Sequence, residues 1–300
     1  MYTEAAMKQL LMFIFTLTLF PALVSATEPD LSTPALAPVR EYLAKNNLKI
    51  TQKPEDVIIS GYVLVLGVGT GPNERMARFA ADAVALRNLA SVMADLPLSG
   101  NRVIKTVEES NDAVITTISG YLKGGDILFN IFNAEQKTCY LLRQRKIRGA
   151  KELTGALYDL VNKDPAARKT LLSELPLFSV KPPETTSTHD ALIIDLTTLA
   201  FKPALFNRLV SEMGELVFDP TKADKAIIQD HAPVLFADSE AGARKALADR
   251  GAQKPLLIKA KGISQGTDIV LADTDARIAV HNNSTTGVFT SIRVAVIIKP

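Results

Sequence analysis

Residues 57–95, VIISGYVLVLGVGTGPNERMARFAADAVALRNLASVMAD, pass from a β-rich run through a glycine-rich step into a long helical pattern, and this passage decides the fold. Val57–Leu66 is dense in β-branched residues with one glycine in the middle, which predicts a central strand buried on both faces. Gly67–Pro72 then turns the chain, with Pro72 suited to a first helical turn and Glu74 to the positive end of the helix dipole. The helix is expected to run to about Asp95, where Leu96-Pro97 stops it. Met76, Phe79, Ala80, Ala83, Leu86, Leu89, Ala90 and Met93 recur at three- and four-residue steps and define its expected apolar face. The many alanines (Ala77, Ala80, Ala81, Ala83, Ala85, Ala90, Ala94) allow that helix to lie close against a sheet.

Working outward, strands are expected at Arg102–Val107, Ala113–Tyr121, Asp126–Phe132 and Thr138–Lys146, with turns at Gly124-Gly125 and Asn133-Ala134-Glu135. A strand, a helix and then successive strands make an α+β module over residues 56–148. Before it, residues 27–55 form an extension with a short helix at Val39–Ala44. After it, residues 149–188 are a connector, helical to Glu174 and ending in the Pro/Thr-rich run Lys181–Thr188, where the boundary falls. Residues 189–300 form a second α+β module. Its expected strands are Ala191–Leu196, a hairpin of Leu205–Ser211 with Glu215–Phe218 around Gly214, Leu256–Ala260, Asp268–Leu271 and Ile292–Lys299. Its expected helices are Lys222–Gln229, Glu240–Asp249 and Thr274–His281. The expected architecture is thus two modules, each a mostly antiparallel sheet packed by helices.

At the start of the chain, Leu10–Val24 (LLMFIFTLTLFPALV) follows Lys8 and ends in Val24-Ser25-Ala26. That run is short for a bilayer-spanning helix and has the form of a cleavable export signal occupying residues 1–26, with the cut between Ala26 and Thr27. Met7 is the better start, since it places Lys8 directly behind the initiator; the alternative to cleavage is an uncleaved anchor. The expected location is the periplasm. A lipoprotein requires Cys at the first mature position, and Thr27 stands there, so no covalent lipid anchor is expected.

A formal net charge of +2 is too small to act as a long-range field for nucleic acid, which is also in the wrong compartment for an exported chain. Cys139 is the single cysteine, so no intramolecular disulfide can form; its strand context makes it a small buried apolar residue. With no Trp, the cores must be built from Val, Ile, Leu and Ala.

Gly67-Val68-Gly69-Thr70-Gly71 invites a phosphate-loop reading, but Pro72 stands where the dinucleotide pattern needs Gly, and no Lys-Ser or Lys-Thr follows. The simpler reading is a flexible strand-to-helix turn. His189-Asp190 and Asp230-His231 offer acid/base or metal pairs, and His281 stands alone; none has the i, i+4 spacing of a helical zinc site. Ser60, Ser119 and Ser264 lie in strand contexts without a nucleophile elbow. In the basic run Arg143, Arg145, Lys146, Arg148 and Lys151, the alternation of Arg143 with Arg145 predicts a solvated strand face. Asp195, Lys202 and Asp219 read as isolated charges. No catalytic, cofactor-binding or metal-ligating residue is assigned, and no cofactor is implied.

Leu192-Ile193-Ile194-Asp195, Leu199–Phe206 (LAFKPALF) and Gly214-Glu215-Leu216-Val217-Phe218, with Pro255–Ala260 (PLLIKA), Thr267–Val270 and Asp273–Ala276, resemble the exported "Lpp-twenty" outer-membrane lipoprotein family. The first module, with Ala80-Ala81-Asp82-Ala83 and Arg87-Asn88-Leu89-Ala90, is similar to the small α+β module of that family and of periplasmic flagellar assembly proteins of the T type. Two departures are the missing lipid-bearing Cys and Leu196-Thr197-Thr198 in place of the usual Ala-Arg-Gly after Asp195. The resemblance implies a non-enzymatic envelope protein whose partners are envelope or flagellar proteins. The alternatives are an envelope hydrolase and a small-ligand or metal-binding periplasmic protein.

Overall fold

The computed structural model describes residues 31–51, 53–107, 111–122, 124–179, 188–224, 227, 232 and 234–299. The expected signal and its cut, most of the Pro/Thr-rich linker, Asp230 and His231 lie outside the described residues, as do four of the eight residues of the helix expected at Lys222–Gln229; of the other four, Lys222 ends a 3-10 turn, Pro220–Lys222, and Ile227 is helical. The α-helices are α1 (Ala37–Lys45), α2 (Pro54–Ser60), α3 (Glu74–Ala94), α4 (Ile104–Val107), α5 (Asp112–Leu122), α6 (Leu153–Lys163), α7 (Pro165–Leu171), α8 (Glu240–Ala248) and α9 (Asp273–Thr286). The strands are β1 (Tyr62–Thr70), β2 (Pro97–Ser99), β3 (Arg102–Val103), β4 (Asp126–Asn133), β5 (Thr138–Lys146), β6 (Ala191–Asp195), β7 (Leu209–Val210), β8 (Leu216–Phe218), β9 (Leu235–Ala237), β10 (Pro255–Lys259), β11 (Gly262–Ser264), β12 (Asp268–Val270) and β13 (Val294–Ile297). The class is α+β, as the sequence predicts.

One expected strand is wholly helical and two are helical in part. Pro54 starts α2 with Glu55 and Asp56 in its first turn, and Gly61, at φ 80°, terminates it in the left-handed conformation. Val57–Ser60 therefore close a helix, and the strand begins at Tyr62 and runs on through Gly67 and Gly69 to Thr70. Likewise Asn111 accepts from the amides of Ala113 and Val114 at 2.9 and 3.2 Å, capping α5, whose Val114 and Ile118 bury one face at four-residue spacing. A cap and a helical period outweigh β-branched content over Ala113–Tyr121. Of the strand expected at Arg102–Val107, Arg102 and Val103 pair with β2 and the rest is α4.

The first sheet has the order β1-β5-β4, antiparallel throughout, with a bulge between Ile127 and Phe129. Val63, Val65, Cys139 and Leu141 point to one face and join a core with α3. Leu64, Leu66, Tyr140 and Leu142 point to the other and meet Val39 and Leu43 of α1. Helix and strand come unusually close under α3. A Cβ at Gly67 would lie 2.0 Å from the Ala81 carbonyl oxygen, and one at Gly71 would lie 2.5 Å from the Ala77 nitrogen. Alternate strand residues are about 6.7 Å apart and helix residues i, i+4 about 6 Å apart, so Gly67, Gly69 and Gly71 run in step with Ala85, Ala81 and Ala77.

The main sheet of the second half has the order β10-β6-β13-β9 with every pair parallel. The expectation of a mostly antiparallel sheet is corrected here. The runs Ala191–Ile194 and Val294–Ile297 are buried on both faces, the pattern of a parallel strand with a helix layer on each side. One face packs Ile193 and Ala295 on Ala243 and Leu247 of α8; the other packs Leu192, Ile194, Val294 and Val296 on Ala276 and Ala279 of α9. A smaller mixed sheet, β11-β12-β7-β8, contains the expected hairpin β7-β8.

The halves interlock. The amides of Leu205 and Phe206 donate to the carbonyls of Pro97 and Leu98 at 2.9 and 2.8 Å, and both side chains complete the core under α3. The Tyr158 hydroxyl donates to the Ala223 carbonyl at 2.6 Å. Residues 31–300 accordingly form one compact unit.

Candidate functional site

Because its packing face is built from Ala77, Ala81, Ala85, Leu89, Val92 and Met93, α3 turns larger apolar side chains outward. Phe79 is 73% exposed and Met76 52% exposed, and Ala83 lies on the same outward stripe. The expected apolar face thus divides: Leu89 and Met93 are core, whereas Met76 and Phe79 face solvent. The glycines explain the division, since a strand face without side chains accepts only the alanine face of the helix.

α3 packs chiefly over β1 and β5; β4 is half-buried beside them, with Ile127 and Phe132 against the core under the helix. Between helix and strand is an open depression of about 1080 Å³ lined by Asn73, Met76, Phe79 and Ile127, with Arg75 and Arg78 on its rim. Its floor carries an ion pair: the Arg143 Nε donates to Asp82 Oδ1 at 3.0 Å, and Arg143 Nη1 donates to the Gly125 carbonyl at 2.5 Å. Arg143 is buried under this contact, which corrects the expectation of a solvated strand face. Asp82 is thereby committed, while Arg75, Arg78 and Arg87 make no ion pair with another described residue.

The rest of the basic run is also dispersed into structure. Arg145 stacks over the Tyr121 ring, 5.1 Å from its centroid, and approaches Glu152 at 4.0 Å. Arg148 donates to the carbonyls of Ile58 and Ile59 at the end of α2, and burial pushes its guanidinium down to about 10. Lys146 and Lys151 are exposed.

The glycine step is neither a turn nor a cradle. Gly67 and Gly69 are within β1, and the Gly71 amide donates to the Lys137 carbonyl at 3.0 Å. Asp190 accepts from the amides of Gln253 and Lys254, both at 2.8 Å, and so braces the turn into β10. The His189 amide donates to Asn282 Oδ1 at 3.1 Å, and burial, then Lys254, lowers its imidazole pKa against the opposing pull of Asp190. His281 is in α9, where its carbonyl accepts from Ser284. Among the described residues no group of three or more His, Cys, Asp or Glu is placed to hold a metal ion. Ser60 ends α2 and Ser119 is in α5, so of the three serines only Ser264 is in a strand. Asp195 accepts from the amide and hydroxyl of Thr197 at 2.9 and 2.7 Å. Asp219 is buried, caps Thr221 and pairs with Arg168. Lys202 is exposed.

A second, more enclosed cavity of about 390 Å³ lies between α7, β8 and the end of α9. Its apolar lining includes Leu172, Leu175, Leu216 and the stacked pair Phe218 and Phe289, with ring centroids 4.8 Å apart. Two arginines reach it, both already engaged: Arg168 with Asp219, and Arg208 with Asp268 and with Ser173. Among the described residues, no helix is long and apolar enough to cross a membrane.

Residues 191–300, from β6 to the end of the chain, match the family described as Treponema pallidum Tp0624, second domain. The match covers the parallel sheet and its helices, not α3 or the depression beside it. No curated protein matches the chain.

Proposed function

We propose that this chain is an exported, periplasmic protein of the cell envelope that acts by binding other proteins rather than by chemistry on them, with envelope or flagellar basal-body proteins as its partners. The observation that carries this reading is the outward stripe of α3. A phenylalanine 73% exposed beside a half-exposed methionine, at the rim of a concave surface with arginines around it, has the composition of a protein-binding hot spot. The export-type N-terminal sequence and the family resemblance support the compartment and the partner class. The test is crosslinked capture from intact cells with the full chain tagged after Pro300, comparing wild type with Phe79→Asp. Enrichment of envelope or basal-body components by the wild type, lost in the variant, is the expected outcome; identical capture by both overturns the role of the stripe.

A second reading rests on the 390 Å³ cavity, whose mostly apolar lining and size suit a small apolar ligand. It predicts a ligand-dependent rise in melting temperature across a panel of small apolar compounds and fails if none is seen.

A further inference from the structure

We infer that the depression beside α3 receives an acidic amphipathic helix of the partner protein. This rests on the protein-binding reading above and adds the chemistry and shape of what is bound. The charge on this surface is one-sided. Of the charged residues that line it, Arg75 and Arg78 have no described ion-pair partner, Asp82 is taken by Arg143, and Glu74 is the other carboxylate; Arg87 is exposed further along α3. A partner that covers Phe79 and Met76 also brings its own charges against these arginines. Carboxylates there gain from the pairing, whereas lysines or arginines are repelled.

The lining is local, the first turns of α3 with Ile127 of β4, which suits a single element rather than a broad surface. A concavity between a helix and an adjacent strand seats a single rod, and an α-helix with side chains is about 10 Å across. Addition of an extended strand to β4 is disfavoured by the bulge between Ile127 and Phe129, a device that breaks the regular ladder a new strand would need. A helix in the groove instead places apolar side chains at three- and four-residue steps against Met76, Phe79 and Ile127, with its acidic flank toward Arg75 and Arg78.

The test places a photo-crosslinking residue at position 83 of the full chain, on the exposed stripe, irradiates intact cells and sequences the attached peptide. A second chain carries the crosslinker at position 177, on the opposite half, where Leu177 is 74% exposed. The expected product from position 83 is a peptide of another protein with apolar residues at helical spacing and an excess of Asp and Glu. Its yield should fall at least tenfold when Arg75→Glu and Arg78→Glu are combined, in a chain whose melting temperature is unchanged, and by less with the two Gln substitutions. Capture of a protein peptide indifferent to both charge changes overturns the acidic helix and leaves protein binding standing. Attachment to lipid alone, or to a second copy of this chain, also overturns it. Protein capture from position 177 but not from position 83 moves the binding surface elsewhere, and capture from neither position overturns both readings.

Discussion

Gly69 lies so close under Ala81 that a Cβ added to it would stand 2.0 Å from the Ala81 backbone nitrogen. The obstacle is backbone, which a side-chain rotation cannot relieve, so the whole of α3 would have to lift. Gly69→Ala should therefore destabilise the protein by about 3 kcal/mol, the upper range for overpacking. Gly120→Ala is the contrasting change: a Cβ at this exposed position of α5 meets nothing within 4 Å. It should stabilise by about 0.5–1 kcal/mol through helix propensity alone. Urea unfolding of both variants measures the difference, and equal midpoints would remove the close-approach account.

Arg208 and Asp268 are each 2% exposed and meet through two contacts, at 3.2 and 2.5 Å, while the same guanidinium donates to the carbonyl and hydroxyl of Ser173 at 2.7 and 2.8 Å. One arginine, immediately before β7, thus ties that strand to β12 and to the segment after α7. Asp268→Asn leaves a buried cation without its counter-ion and should cost about 3–5 kcal/mol. Replacing both partners together, Arg208→Met with Asp268→Leu, should cost less than the sum of the single changes, because no charge is stranded. A double-mutant cycle by thermal unfolding reads this coupling. Additive losses would show that the two side chains stabilise the fold independently.

Burial alone would raise the Asp190 carboxyl, but the amides of Gln253 and Lys254, with Arg293 beyond them, outweigh it and hold the group below its ordinary value. A carboxylate whose folded pKa is depressed contributes stability that is complete above its unfolded value, about 3.9, and is lost as pH falls through the folded one. The stability advantage of wild type over Asp190→Asn should thus be constant from neutral pH down to about 5 and shrink below about 4. Paired melts across pH 2.5 to 7 would show this. A difference unchanged at the acid end would mean that Asp190 braces the turn without its charge.

The sequence made the strands β4, β5, β6, β10 and β13 and the helices α3, α8 and α9 legible because each combines a clear period with turn residues or caps at its ends. It misled where local chemistry and composition disagree. Val57–Ser60 look like strand by content, yet Pro54, Glu55 and Asp56 open a helix there and Gly61 closes it. The parallel pairing of β6 with β10 and β13 is a tertiary property: ALIID and VAVI carry no mark of which strand lies beside them beyond being apolar throughout. The outward stripe of α3 is visible as a period, but period alone places it in the core, since Met and Phe ordinarily seek burial more than Ala. The usable signal was on the strand: glycines at 67, 69 and 71 share one face, and a bare face calls for alanines opposite it. The ion pairs of Arg143, Arg168 and Arg208 join residues far apart in the chain and leave no local trace.

Cys139 stands opposite Gly69 in the β1-β5 register, under α3, and is 1% exposed. Burial raises its thiol pKa, with Glu74 adding to the effect and Arg78 and the backbone contact from Ile131 opposing it. Both the inaccessible sulfur and the low thiolate fraction slow reaction with a soluble thiol reagent. In the native protein Cys139 should therefore be labelled only at the rate at which α3 opens from the sheet, orders of magnitude below its rate in 8 M urea. Gly69→Ala loosens the same contact and should accelerate labelling, whereas Phe79→Asp, on the outward face, should leave it unchanged. Rapid labelling of the unmodified chain under native conditions would mean that the helix separates from its strand far more readily than the glycine-alanine interface implies. The outward stripe would then have to be judged on a helix that moves.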